Sequence, residues 1–323
     1  MRIPLLLICS CLSLVHCKKD DKATPAEDKT AAIEPEKEAT TPPVEDPEKP
    51  ADPILERGAY LAGLMGCEQC HTPFGPTGPD QSKRYAGGLE IPEVFGTWRS
   101  LNITQDKETG IGSWTDEQII VAIREGKRPD GEQLYPIMPY LFYNSMSDDD
   151  AKAMVAYLRT IEGIPNKVER VDDLKLPKIP APPAKGEAHD ASNPIAHGQY
   201  LASMMHCAAC HTPMGPDGLD MSKAYAGGMK LEIPMLGEGQ LYTANLTPDE
   251  ATGIGNWSDE EIIASIKQMK KRNGSIIVGP MAMYQRGWFA ISDDDAKAIA
   301  TFLRSLPPIV NEVPVSTFKP KAH

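Results

Sequence analysis

A chain of 323 residues is long enough for two domains, and its 33 basic against 45 acidic side chains leave a formal charge of −12. That balance argues against a nucleic-acid binder and for partners with basic docking surfaces. Aromatic residues are only 6% of the chain, a thin supply of large flat side chains for two interiors.

Residues 1–16 place one positive residue ahead of a short apolar stretch, the pattern of a secretory signal and too short to span a bilayer. Leu14-Val15-His16-Cys17 resembles a bacterial lipobox, in which Cys17 is lipidated and becomes the mature N-terminus. Ile8-Cys9-Ser10-Cys11 fits the same pattern with a shorter apolar core, and an ordinary cleaved signal is the plainer alternative. Residues 18–52 are Lys, Asp, Glu, Pro, Ala and Thr with almost no large apolar side chains, so they cannot offset their chain entropy by burial. They read as an acidic, Pro-rich disordered tether, reaching at most roughly 115 Å at about 3.3 Å per residue.

A first unit follows at 53–164. Its opening helix runs from about Pro53 into Cys67-Glu68-Gln69-Cys70-His71. The Cys-x-x-Cys-His spacing is that of covalent c-type haem attachment: two thiols one helical turn apart meet the porphyrin vinyl groups, and the adjoining imidazole faces the iron. A redox dithiol would sit beside a βαβ pattern, which is missing here, and a structural zinc site would want four closed ligands. A second helix opens at the capping box Thr115-Asp116-Glu117-Gln118 and carries Ile119, Ile120 and Ile123 at helical spacing. A third starts at Ser147 as N-cap, with three aspartates in its first turn. Little reads as strand.

After a Pro-rich linker at 165–194 the unit repeats at 195–310, and 311–323 is left as a C-terminal tail. Cys207-Ala208-Ala209-Cys210-His211 is the second attachment motif. Tyr85-Ala86-Gly87-Gly88 recurs at Tyr225-Ala226-Gly227-Gly228, and Thr109-Gly110-Ile111-Gly112 recurs at Thr252-Gly253-Ile254-Gly255. The capping box returns at Ser258, and residues 147–153 recur identically at 292–298. Of the seven cysteines, four lie in the two motifs and three in the first 17 residues. Two buried porphyrins would supply the flat apolar bodies the composition lacks.

The sixth iron ligand decides the chemistry. His71 is the only His between residues 17 and 188, so the first iron must look to Met65, Met138, Met146 or Met154. Met65 shares the motif's own helix, and Met146 and Met154 belong to the third helix, where packing is their role. Met138 lies in the Pro-flanked loop Leu134-Tyr135-Pro136-Ile137-Met138-Pro139-Tyr140 and is the candidate. Trp114 to Met138 spans 24 residues, as does Trp257 to Met281, which makes Met281 the counterpart and Met283 its competitor. A His/Met pair saturates the iron and favours its reduced state, which suits outer-sphere electron transfer. Each proximal imidazole should donate to a backbone carbonyl. Asn102-Ile103-Thr104 and Asn245-Leu246-Thr247 match a glycosylation pattern but read as loop structure. Trp114 and Trp257 read as packing beside the haems, and the acidic loops 106–112 and 249–255 as solvated turns.

The run Asn102-Ile103-Thr104, Thr109 to Glu117, then the Tyr-Pro-Ile-Met-Pro loop resembles the cytochrome c subunits of quinoprotein and flavoprotein alcohol, aldehyde and sugar-acid dehydrogenases, over residues 53–310. The resemblance implies an all-α protein of two tandem class I cytochrome c domains, each a three-helix haem-wrapping unit with long loops. It implies two covalently bound haems c, with Met138 as an axial ligand. Gly279-Pro280-Met281 looks like the form of related diheme cytochromes, and those dehydrogenase subunits carry three haem units where this chain has two. The expected role is a periplasm-facing carrier of single electrons, tethered through Cys17 to a membrane. It would stand between a dehydrogenase or quinol-oxidising donor and an oxidase or reductase acceptor. The alternative is a haem enzyme, such as a diheme peroxidase or a c-type haem oxidoreductase, with one displaceable axial ligand.

Overall fold

A computed structural model describes residues 52–75, 78–93, 96–169, 189–216 and 218–321. The expected signal, Cys17 and all of the tether but its last residue lie outside the described residues, as does most of the Pro-rich linker. No helix among the described residues is long and apolar enough to cross a membrane.

Local chemistry sets each helix. Asp52 accepts from the Ile54 amide and Pro53 takes the first position of α1 (Pro53–Met65). Gly66, at φ 71°, ends α1 and turns the chain directly into the one-turn helix α2 (Cys67–His71). Thr115 and Gln118 close a full capping box on α3 (Asp116–Glu125). A single turn, α4 (Tyr140–Tyr143), precedes α5 (Asp148–Arg159), which Ser147 caps.

The second half repeats this plan. Asn193 caps α6 (Pro194–Met204), α7 (Cys207–His211) holds the motif, and Ser258 with Glu261 caps α8 (Asp259–Lys267). Two single turns, α9 (Pro280–Met283) and α10 (Gln285–Trp288), lead to α11 (Asp293–Ser305), capped by Ser292. Among the described residues each half therefore shows three longer helices, with additional one-turn helices that no sequence period announced.

Strand is sparse, and among the described residues five short antiparallel ribbons accompany the helices. The longest pairs Glu90–Glu93 with Gly96–Arg99. Another pairs Lys319–Pro320 with Gly237–Glu238, so the C-terminal segment lies along the second half. The start of the linker is likewise engaged, since the Asn166 amide donates to the Ala86 carbonyl at 2.8 Å.

The core gathers where α1 crosses α5 and α6 crosses α11. Leu61, Leu64, Met154 and Leu158 are buried in the first crossing, and Leu201, Met204, Ile299 and Leu303 in the second. Each removes its apolar surface from water at about 2 kcal/mol.

The two halves meet through a quasi-twofold set of bonds. Tyr60 of α1 donates to Asp295 of α11 at 2.5 Å, and Tyr200 of α6 donates to Asp150 of α5 at 2.5 Å. Each aspartate also binds a cation-forming partner of its own half: Arg57 holds Asp150 and His197 holds Asp295. The same phenols accept from the amides of Ser292 and Ser147, the N-caps of the opposite half. Burial alone would push both carboxyls up, but these hydrogen bonds outweigh it and hold them below their ordinary value.

His206 lies at the same junction, buried, with its Nδ1 3.2 Å from the Tyr143 hydroxyl. Burial lowers its imidazole from an ordinary 6.5 to about 4. The unfolded chain therefore takes up a proton that the folded one refuses as the pH falls through that window, so stability present above 6.5 is lost on acidification. The loss is on the order of 3 kcal/mol. Denaturant midpoints between neutral pH and pH about 4.5 should fall in the native protein and fall less in His206→Gln. An equal fall in both would contradict the assignment.

Candidate functional site

In each half a left-handed residue, Gly66 or His206, launches the motif helix, so the two cysteines sit one turn apart and the histidine closes the turn. Desolvation pushes the Cys67 and Cys207 thiols up to about 12, which marks apolar surroundings rather than an exposed redox dithiol. Among the described residues no three His, Cys, Asp or Glu side chains are grouped to hold a bare metal ion.

The histidines are aimed by the backbone. His71 Nδ1 lies 2.6 Å from the Leu101 carbonyl, and His211 Nδ1 lies 2.8 Å from the Ala244 carbonyl. A carbonyl can only accept, so Nδ1 carries the proton in both rings and Nε2 keeps its lone pair for a metal. Burial lowers both imidazoles, with the carbonyls partly opposing it, which favours the neutral ring in each. Paired cysteines, a fixed tautomer and an apolar setting fit covalently attached haem in each half.

These carbonyl acceptors were expected in kind, but their identity came only from the structure. The repeated Tyr-Ala-Gly-Gly strings were the available signal. Tyr85 and Tyr225 adopt φ 63° and 66°, a strained setting for a side chain of this size. Their amides are held by Thr72 and Thr212 directly after the motif histidines. Gly87 then donates to the His71 carbonyl at 2.7 Å and lies against Leu101. At φ 73°, a Cβ on Gly87 would stand 2.4 Å from the Leu101 carbonyl carbon, where backbone cannot give way.

Gly87→Ala should therefore displace the very carbonyl that orients His71, and destabilise the fold by about 2 kcal/mol or more. A less basic imidazole favours the reduced iron, so the midpoint potential of the first haem should rise while the second stays put. Potentiometry on the variant checks this; an unmoved first potential would remove Leu101 from the role.

Met138 is half-buried and packs against the core, in a turn where its amide donates to the Tyr135 carbonyl at 3.1 Å. Met281 also packs against the core but from the short helix α9, a different local frame from the Pro-flanked turn of the first half. Met283 lies two positions on, about 200° round the helix axis. Trp114 and Trp257 are half-buried on the same core.

The Asn-x-Thr strings are internal clasps. Asn102 and Asn245 are only 4% and 3% exposed, which closes them to a glycan. Their side chains bind Thr104 and the Ile164 carbonyl, or Thr247 and the Ile309 carbonyl. In the acidic loops, Asp106 and Asp249 accept from Thr109 and Thr252 of their own turns.

The cytochrome c family profile matches residues 55–162 and 195–307. The chain is 33% identical over 274 residues to the cytochrome c subunit of a quinone-dependent alcohol dehydrogenase from Gluconobacter oxydans, covering 79% of this chain and 55% of that protein. It is 34% identical over 277 residues to a fructose dehydrogenase cytochrome subunit from Gluconobacter japonicus, covering 79% and 53%. A diheme cytochrome c-type protein of Cereibacter sphaeroides is 29% identical over 289 residues, covering 84% and 92%. This chain thus spans about half the length of the dehydrogenase subunits it matches.

Proposed function

The chain belongs to the cytochrome c family and carries two covalently bound haems c, and from that premise we propose that it is a carrier of single electrons and not an enzyme. Its place is the bacterial periplasm, held to a membrane by a lipid on Cys17. It passes electrons from a dehydrogenase, or a quinol-oxidising donor, to an oxidase or reductase.

The observation that carries this reading is the duplicated setting of the two histidines, each with Nδ1 fixed by one backbone carbonyl and a methionine in register on the same core. Cys67 and Cys70 would fasten the first haem, and Cys207 and Cys210 the second. His71 and His211 would bind the irons through nitrogen, and Met138 and Met281 through sulfur. When attached, each haem supplies a one-electron couple. Burial would keep each imidazole neutral, and the Leu101 and Ala244 carbonyls would hold its tautomer and orientation while the charge changes. An acidic surface charge suits docking to basic patches on redox partners.

The relatives named as dehydrogenase subunits support the donor class. Membranes from cells lacking this chain should still oxidise an alcohol or sugar acid with an artificial acceptor, yet lose oxygen uptake driven by that substrate. Returning the chain should restore it. Oxygen uptake that never depended on the chain would overturn this placement.

A further inference from the structure

Between the two motif helices lies an aromatic cluster that haem attachment does not require. Tyr284, at the junction of α9 and α10, lays its ring over Gly66: a Cβ there would fall 2.1 Å from Tyr284 Cε1. Its hydroxyl is 3.8 Å from Cys70 Sγ. The same ring stands edge-on to His206, with centroids 5.3 Å apart, and stacks on Trp288 at 5.3 Å. His206 immediately precedes Cys207.

The cluster is pinned from both halves. Trp288 Nε1 donates to the Leu64 carbonyl at 3.0 Å, and the Tyr143 hydroxyl lies 3.2 Å from both the Met65 carbonyl and His206 Nδ1. The Tyr284 phenol sits within electrostatic reach of the sulfurs of Cys70 and Cys210 alike. Sequence register makes Gly66 the counterpart of His206. The side chain missing from the first half is what admits a ring from the second.

We propose that Tyr284 is the contact through which the two haem sites exchange an electron, with His206 continuing the path to Cys207 and with Tyr143 and Trp288 as positioning residues. The path runs from Cys70 Sγ to the Tyr284 hydroxyl, through its ring to the His206 ring, and along the backbone to Cys207. One electron leaves the reduced site as the oxidised site gains it; no bond forms or breaks and no proton moves. Burial keeps the phenol protonated and the imidazole neutral, so neither adds charge to the path. Close packing fills with ring atoms a gap that solvent or a void would otherwise occupy.

The inference rests on the proposed carrier function, and the test separates the two. In full-length, half-reduced protein with both haems attached, exchange is read from haem-methyl magnetic resonance lines, with dilution removing the intermolecular part. Tyr284→Leu should slow exchange about tenfold, or about 1.4 kcal/mol in barrier, with both potentials and the low-spin spectrum unmoved. Tyr284→Phe, which keeps the ring, should slow it less. Unchanged exchange in Tyr284→Leu with an intact spectrum would overturn the path. Should that variant lose haem, Tyr284→Phe decides: slower exchange supports the path and an unchanged rate overturns it. A native protein lacking one haem, or high-spin at either, would instead overturn the carrier reading.

Discussion

Met138→Leu should open the sixth position of the first haem and leave the second unchanged. The swap conserves volume, so its cost to the fold should stay below about 1.5 kcal/mol. The expected signs are loss of half of the weak far-red band of Met–iron bonding, partial high-spin character, and new binding of cyanide. Thioether ligation stabilises the reduced iron, so the first potential should fall by roughly 0.1 V or more, a fraction of the ~0.8 V that axial ligands span. Met281→Leu should do the same at the second haem. Met283→Leu should do neither; if it opens the second haem, Met283 and not Met281 is the ligand there.

Gly58→Ala and Gly198→Ala should each damage the fold outright. A Cβ on Gly58 would lie 2.0 Å from the Ala153 carbonyl oxygen and 2.7 Å from Tyr157 Cβ. One on Gly198 would lie 2.0 Å from the Ala298 carbonyl oxygen. These are backbone contacts between the first and last helices of each half, so neither can be relieved by a rotamer change. Each substitution should cost about 3 kcal/mol or more, at the upper end of overpacking effects, and lower haem incorporation in the affected half. Gly63→Ala is the control on the same helix. Its Cβ would meet Gly287 Cα at 3.4 Å, an ordinary contact, and the gain in helix propensity should leave it neutral or stabilised. Equal midpoints for Gly58→Ala and the native protein in denaturant titration would contradict the crossing.

Much of this architecture could be read before any coordinates, for physical reasons. Cys-x-x-Cys-His encodes its chemistry in spacing alone, and capping boxes encode helix starts in four residues, which is why Thr115, Ser147, Ser258 and Ser292 all cap as expected. Single turns such as α4 and α10 are shorter than any apolar period, so Tyr140 to Tyr143 announces nothing. The ribbons escape notice for a related reason: most are two residues a strand, built on Gly, Pro and turns instead of alternation. The bonds of Tyr60 to Asp295 and Tyr200 to Asp150 span 235 and 50 residues, beyond any local pattern. Gly87 and Gly227 stood out as repeats, but the need to admit the Leu101 and Ala244 backbones is a property of the packed loop.

The repeat also explains the form of the junction. Equivalent residues meet equivalent residues across it, as in an isologous dimer interface, with Arg57 and His197 the unequal members of matching positions. The aromatic cluster sits where the halves differ at Gly66 and His206.

The proposed carrier role requires both irons to be closed between a histidine nitrogen and a methionine sulfur. Spectroelectrochemical titration of the purified full-length protein, with and without cyanide, tests this most directly. It should find two covalently held haems per chain, both low-spin, each taking up one electron reversibly, and no spectral change on adding cyanide. Fewer than two haems, or cyanide binding at either iron of the native protein, would contradict it.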